Sequence, residues 1–314
     1  MHQTPSEPVP QSQPLHAANS AYLCKKYTGA MRVDSGSNSV DNVRQRFDAA
    51  AASFDDADYV HRSTCDALLD RLAPVAINRG VILDLGAASG TGSERLARSF
   101  SGSRVIGIDI SGQMLARAKK KRRFFSKVRQ VQADLLRLPM PGQSVDLAFA
   151  NLVLPWVADI DGCFTEMNRV LNKNAVFAFA SLGPDSMREF REAVQSLAVA
   201  MEICKFPDMH DVGDALMRAG LRDPVLDVDR LQITWSSFDA LLADLAACGA
   251  IRRPQSEEDA PFRTLAPEFT GHDASGRIAI ELELVFGHAW GSGPRPDAGE
   301  FRVDPGTIER RQRP

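Results

Sequence analysis

Apolar and polar positions follow two different patterns along the middle of the chain. Short apolar runs, each the length of one buried strand, are followed by stretches with apolar residues every three or four positions. The apolar runs predict strands over 81–85, 104–108, 128–132, 145–150 and 175–181, and the helical spacing predicts helices over 91–100, 112–122 and 159–171. This alternation predicts an α/β fold with a mainly parallel sheet, helices on both faces and right-handed crossovers.

The segments before and after this alternation predict further elements. Apolar and small residues at helical spacing between Asn42 and Leu72 predict one or two helices that pack on the domain edge or cover a ligand. Later in the chain the pattern predicts helices 185–200 and 211–219, strands near 223–235, a helix 238–248 and a strand 277–287. The stretch 249–276 is rich in Pro, Glu, Asp and Arg, so we expect a loop or small lid there.

Both ends of the chain lack the apolar content of a packed segment. Residues 1–40 are rich in Pro, Ser, Gln and Asn, and residues 291–314 are rich in Gly, Pro and Arg. We expect a disordered N-terminal tail and a flexible C-terminal tail. The folded part is then one domain over 41–290, whose first part, 41–75, forms a helical cap.

Charge and cysteine content narrow the class of protein. The 314 residues carry a formal net charge of −3, which argues against a nucleic-acid-binding surface. No apolar run approaches the roughly 20 residues that span a bilayer, so we expect no membrane insertion. The five cysteines are scattered and show no Cys-x-x-Cys spacing. We therefore expect unpaired thiols in a reducing, cytoplasmic compartment and no metal cluster.

Candidate chemistry begins at residues 81–92, where an apolar strand carrying Asp84 opens into a turn of small residues at Gly86. The next predicted strand ends in Asp109. Acids at the ends of two successive strands, with a tight turn after the first, are the arrangement that holds a nucleoside ligand at the carboxyl edge of a parallel sheet. The carboxylate of Asp84 would repel a pyrophosphate but attract a cationic amino group. The carboxylate of Asp109 can accept hydrogen bonds from ribose hydroxyls. This chemistry favours S-adenosylmethionine over NAD.

The turn resembles the first motif of the Rossmann-like, class I S-adenosylmethionine-dependent methyltransferases, which commonly reads Asp-x-Gly-x-Gly-x-Gly. Here the pattern is Asp84, Gly86, Ala88 and Gly90. Alanine replaces the middle glycine, which places a Cβ near the cofactor and removes the freedom to adopt positive φ. The resemblance implies a mainly parallel seven-stranded sheet. The alternative is a strand-to-helix turn in another doubly wound protein.

The resemblance extends to residues that follow the later strands. An acid at Asp134 is expected to accept from the adenine amino group, and Met114 either packs against the adenine or fills the core. Asn151 ends the fourth strand, at the edge where ligands collect in open α/β sheets. The cofactor-binding residues implied are Asp84, Gly86, Gly90, Asp109, Ile110, Met114, Asp134, Leu135 and Asn151.

Other segments resemble one group in particular, the malonyl-acyl-carrier-protein O-methyltransferases of biotin synthesis and their relatives, the methyltransferase-like complex I assembly factors. The segments are Phe54-Asp55, His61-Arg62, 151–156, 181–191 and 206–214. This implies methylation of the free carboxylate of malonyl-acyl carrier protein, or of malonyl-CoA. The alternatives are a complex I assembly factor that modifies a protein subunit, as an arginine hydroxylase does, and a binding protein without catalysis.

A malonyl carboxylate, with a pKa of about 4, is already ionised at neutral pH and needs no general base. An arginine that holds it is the catalytic residue to expect. Arg62 is the leading candidate, since it lies in the cap segment, and Arg188 and Arg191 are the alternatives. Asp208, His210, Asp211 and Asp214 suggest metal ligands, but Asp208 as a helix N-cap accounts for them without a metal.

Overall fold

A seven-stranded sheet forms the centre of the computed structural model, which describes residues 39–121, 126–196, 206–251 and 269–293. The strands are β1 Val81–Leu85, β2 Arg104–Asp109, β3 Arg129–Gln132, β4 Val145–Asn151, β5 Leu171–Leu182, β6 Arg222–Trp235 and β7 Ile278–Trp290. Their order is β3-β2-β1-β4-β5-β7-β6, and β7 runs antiparallel to both of its neighbours. The predicted α/β fold with a mainly parallel, seven-stranded sheet is confirmed.

Eight α-helices accompany these strands within the described ranges. They are α1 Val40–Ala50, α2 Tyr59–Leu72, α3 Thr91–Ser99, α4 Gly112–Lys121, α5 Ile160–Val170, α6 Arg188–Ser196, α7 Met209–Arg218 and α8 Phe238–Ala247. Two 3-10 turns, Phe54–Asp56 and Leu154–Trp156, lie beside the carboxyl edge of the sheet. None of the helices described is long and apolar enough to cross a membrane.

Several predicted boundaries differ from those observed. The fifth strand begins at Leu171 rather than 175, because Leu171 already pairs with Val145 before the register shifts. The last strand runs on to Trp290 because its end pairs with Val176 of β5. The strands predicted near 223–235 form one long strand. Most of the predicted tails and most of the predicted loop 249–276 (residues 1–38, 294–314 and 252–268) lie outside the described residues.

Strand alternation divides the core between the two faces of the sheet. Along β5, Val176, Ala178 and Ala180 face a cluster covered by α2, α6 and α8, whereas Phe177 and Phe179 face a cluster covered by α5 and α7. All five side chains are at most 1% exposed, which is typical of a parallel sheet with helices on both faces.

The N-terminal helices pack over the carboxyl edge of β1 and β2. Asp48 of α1 accepts hydrogen bonds from Ser111 Oγ at 2.6 Å and from the backbone N–H of Gln113 at 3.1 Å, at the start of α4. Asp55, in the 3-10 turn that follows α1, forms ion pairs with Arg117 and Lys121 of α4. These contacts hold the helical segment above the turn that follows β1.

Candidate active site

Two adjoining cavities lie at the carboxyl edge of the sheet, beneath the N-terminal helices. The larger has a volume of about 820 Å³ and the smaller about 400 Å³, and both volumes include the open space at the cavity mouth. The larger is lined by, among others, Phe47, Asp109, Ile110, Asp134, Leu135 and Trp156; the smaller by, among others, Asp58, Arg62, Cys65, Asp84, Ser89 and Thr91. Five residues line both: Phe54, His61, Gly86, Ala88 and Asn151. The two cavities therefore form one bipartite hollow with a shared junction.

The turn after β1 is built from three residues in the left-handed region: Gly86 (φ 69°), Ala88 (φ 44°) and Gly90 (φ 84°). A Cβ at Gly86 would lie 2.6 Å from Val153 Cγ2, and one at Gly90 would lie 2.9 Å from Ala118 Cβ of α4. Both glycines are therefore required by backbone conformation and by close packing.

Ala88 adopts the left-handed conformation although it carries a Cβ. Its backbone N–H donates to Asp109 Oδ2 at 2.8 Å, and its side chain packs against a cluster that includes Phe54. A left-handed residue other than glycine costs about 1–2 kcal/mol. The hydrogen bond and the overlying helices hold the turn in the conformation that the glycine of the motif would otherwise adopt freely.

Asp109 ends β2 and lines the larger cavity with only 8% of its surface exposed. Its Oδ1 accepts from the backbone N–H of Ser111, and its Oδ2 from that of Ala88, each at 2.8 Å. Burial raises the pKa of this carboxyl to about 6, although these hydrogen bonds lower it. Each oxygen keeps a second lone pair for a ligand.

Asp84 lies at the neighbouring strand end and lines the smaller cavity, 3% exposed. Its Oδ2 accepts from Ser93 Oγ at 2.5 Å. Burial, together with the charge of Asp109, raises the pKa of this carboxyl to about 6, although the hydrogen bond from Ser93 lowers it. Two buried acids with raised pKa values make the hollow a favourable environment for a ligand that carries positive charge.

Four other predicted cofactor-binding residues line the cavities. Ile110, Asp134 and Leu135 line the larger cavity, and Asp134 Oδ1 accepts from the backbone N–H of Leu136 at 2.9 Å. Asn151 lies at the junction, where its Nδ2 donates to the carbonyl oxygen of His61 at 2.8 Å. Its Oδ1 is buried and has no hydrogen-bond partner among the described residues.

Gly90 and Met114 do not belong to the lining that the described residues form. Gly90 is the N-cap of α3. Met114 is fully buried against Ala50, Ala51 and Phe54, beneath the N-terminal helices. The expectation that Met114 packs against an adenine is corrected to its alternative, a core residue, because α1 and the 3-10 turn cover that face of α4.

Comparison with known proteins agrees with this architecture. A model of the methyltransferase domain matches residues 83–179, from β1 into β5. The malonyl-[acyl-carrier protein] O-methyltransferase of Halorhodospira halophila is 34% identical over 285 residues, which cover 86% of this chain and 96% of that protein. The protein of the same name from Gallionella capsiferriformans is 32% identical and covers 81% and 91%. The chain belongs to the malonyl-[acyl-carrier protein] O-methyltransferase family.

Solved structures show the same fold at lower identity. The YcgJ protein of Bacillus subtilis superimposes with a TM-score of 0.55 at 16% identity, covering 73% of this chain and 98% of that chain. A phosphoethanolamine N-methyltransferase of Haemonchus contortus, in complex with S-adenosylhomocysteine, gives 0.54 at 17% identity, covering 82% and 60%. As a member of its family, this chain is a methyltransferase and S-adenosylmethionine is its methyl donor.

Of the three candidate arginines, Arg62 lines the hollow of this methyltransferase, on the side of Asp84. Its side chain is 49% exposed, and its Nε lies 3.0 Å from Asp58 Oδ1. Arg188 pairs with Asp185, and the guanidinium of Arg191 lies 5.9 Å from the ring centroid of Phe206. Neither Arg188 nor Arg191 belongs to the described lining of either cavity.

Apart from Arg62, sequence reasoning assigned no site role to the residues that the N-terminal helices contribute. His61 and Phe54 line both cavities, and their ring centroids lie 4.9 Å apart. Phe47 of α1 meets Trp156 edge-on at 5.0 Å beside the larger cavity. The His61-Arg62 pair contributed to the family resemblance, but helical spacing alone does not reveal which side of α2 faces a ligand.

The predicted absence of a metal site stays a prediction. Within the described ranges, no three His, Cys, Asp or Glu residues come together as metal ligands. Asp208 is the N-cap of α7 and accepts from the backbone N–H of His210 at 2.8 Å. The acidic segment thus has the capping role that its spacing indicates.

The Ala88→Gly variant tests this account of the turn. We expect S-adenosylmethionine to bind with equal or higher affinity, because glycine adopts the left-handed conformation without a steric cost. The free energy of unfolding should change by less than about 1 kcal/mol, since the greater entropy of the unfolded glycine chain offsets the relief of strain. Calorimetric titration and urea denaturation measure both. A collapse of affinity would contradict the assigned role of the turn.

Proposed function

We propose that this protein transfers the methyl group of S-adenosylmethionine to the free carboxylate of malonyl-acyl carrier protein, forming the methyl ester used in biotin synthesis. The observation that carries this proposal is the bipartite hollow, with Asp109 in one part and Asp84 in the other, in a chain of this family. The methyltransferase relatives favour this branch over the complex I assembly factors.

The residues of the larger cavity fit the adenosine part of the cofactor. Asp109 offers one free lone pair on each carboxylate oxygen, which suits two ribose hydroxyls. We assign Asp134, which lines this cavity, as the acceptor for the adenine amino group, while Ile110 and Leu135 supply apolar surface. These four residues are the ones that the sequence assigned to the cofactor at this edge of the sheet.

The smaller cavity fits the methionine part, which carries an amino group and a carboxylate. Asp84 is the anion for the amino group, and Arg62 is the cation for the carboxylate. Arg62 was expected to hold the substrate carboxylate. Because it shares the smaller cavity with Asp84, we assign it to the cofactor instead, which leaves the substrate to residues at the junction.

When bound, the cofactor supplies an electrophilic methyl group on a sulfonium. The protein needs to align the acceptor carboxylate and exclude water, since the carboxylate is already ionised. Phe54 closes the junction from the side of the N-terminal helices, and Phe47 and Trp156 line the larger cavity beside it. These apolar surfaces weaken the hydration of the carboxylate and raise its reactivity.

We place the reaction in the cytoplasm. Three cysteines of the described segments, Cys65, Cys163 and Cys248, are free thiols, in keeping with a reducing compartment. We propose that the malonyl group reaches the enzyme on acyl carrier protein. Malonyl-CoA carries the same free carboxylate and is the alternative substrate.

Complementation and calorimetry together test the function. Expression should restore growth of a biotin auxotroph that lacks its malonyl methyltransferase, and titration should detect S-adenosylmethionine binding to the purified protein. Binding without growth would overturn the malonyl substrate and favour the assembly-factor alternative. A protein that neither binds nor complements would be a non-catalytic member of the fold.

A further inference from the structure

His61 and Asn151 are the two residues with polar side chains among the five that line both cavities. The proposed function places adenosine in the larger cavity and the methionine end in the smaller one. The sulfonium, which joins these two parts, then lies at the junction. A substrate carboxylate that attacks its methyl group must approach beside these two side chains.

Two contacts hold His61 in place. Its carbonyl oxygen accepts from Asn151 Nδ2 at 2.8 Å, which ties α2 to the end of β4. Its ring packs on Phe54 at 4.9 Å between centroids. Its Nδ1, by contrast, is buried and lacks a hydrogen-bond partner among the described residues. A buried polar atom without a partner is unfavourable, so it points to a ligand that satisfies it.

The protonation state of His61 suits a carboxylate nucleophile. Burial lowers the pKa of the imidazole to about 4, so the ring is neutral at pH 7. A neutral N–H orients a carboxylate without neutralising it, whereas an arginine would hold the oxygens tightly and reduce their nucleophilicity. A second cation beside the sulfonium would also repel it.

We propose that His61 positions the malonyl carboxylate, its Nδ1–H donating to one oxygen while the other attacks the methyl group. An O–CH₃ bond forms as the S–CH₃ bond breaks, and the electron pair of that bond stays on sulfur. No proton is transferred, because the acceptor enters as a carboxylate and leaves as an ester. His61 is thus a determinant of specificity for an acyl group that ends in a carboxylate. This inference rests on the proposed function.

Two variants at this position separate hydrogen bonding from packing. His61→Leu removes the polar atom, whereas His61→Asn places an amide N–H close to the position of Nδ1. We expect His61→Leu to lower kcat/KM for malonyl-acyl carrier protein by about tenfold or more, the effect of one lost hydrogen bond to a charged group. The dissociation constant of S-adenosylmethionine should change less than about threefold. His61→Asn should recover most of the loss.

A binding measurement without turnover distinguishes this inference from the proposed function. Malonyl- and acetyl-acyl carrier protein are titrated into the wild type and His61→Leu in the presence of S-adenosylhomocysteine. The wild type should prefer the malonyl form, and His61→Leu should lose that preference. An unchanged preference, or equal losses in the Leu and Asn variants, would overturn the role of His61. Failure of the wild type to methylate malonyl-acyl carrier protein would instead overturn the proposed function.

Discussion

Replacing Asp109 with alanine should weaken S-adenosylmethionine binding by an order of magnitude or more. The variant loses the proposed charge-assisted hydrogen bonds to the ribose hydroxyls, worth about 1.5–3 kcal/mol. It also removes the acceptor for the backbone N–H of Ala88, which holds the turn in its left-handed conformation. Both losses act on the cofactor site, so calorimetric titration with S-adenosylmethionine should report the full effect.

A matched control separates this effect from a general change of charge. Asp161 on α5 pairs with Arg218, and neither residue belongs to the described lining of the cavities. Asp161→Ala should leave the dissociation constant unchanged. If Asp109→Ala binds S-adenosylmethionine as tightly as the wild type, the assignment of Asp109 to the ribose is wrong.

Asp84→Asn should change affinity and stability in opposite directions. The amide loses the charge that we propose pairs with the cofactor's amino group, so binding should weaken by about tenfold. The free enzyme should become more stable at pH 7, by on the order of 1 kcal/mol or more, because an ionised carboxylate no longer has to be buried. Parallel titration and thermal unfolding of the variant and the wild type measure both effects.

The pH dependence of the wild type follows from the same carboxyl group. Burial raises the folded-state pKa of Asp84 to about 6, above the ordinary 3.8. Between these values the folded chain binds more protons than the unfolded chain. This group therefore destabilises the fold by its full cost above pH 6, and that cost shrinks as the pH falls from 6 toward 3.8. Cofactor affinity should fall over the same interval, since protonation removes the anion. A stability gain of Asp84→Asn that persists at pH 4 would contradict this explanation.

The sheet and the acids at its edge could be predicted from the sequence, because buried parallel strands are short, continuous apolar runs. Asp84 and Asp109 follow such runs directly, and chain topology then brings their strand ends together. Ala88 was also interpretable, since the motif indicates which position of the turn requires a positive φ.

Which residues of the N-terminal helices line the hollow could not be predicted in the same way. Helical spacing identifies an apolar face but not the element that covers it, so Met114 was placed beside the cofactor although α1 and the 3-10 turn bury it. The side of α2 that faces the hollow is set by its contact with β4, through Asn151 and the His61 carbonyl. That long-range contact places Arg62 in the lining of the smaller cavity with Asp84, and His61 at the junction.

Intact-mass measurement of malonyl-acyl carrier protein tests the central claim most directly. The purified enzyme is incubated with S-adenosylmethionine and either malonyl- or acetyl-acyl carrier protein, and a sample without S-adenosylmethionine serves as the control. We predict that the malonyl form gains the mass of one methyl group and that the acetyl form does not change. A malonyl-acyl carrier protein of unchanged mass, in a sample that binds S-adenosylmethionine, would contradict the proposed reaction.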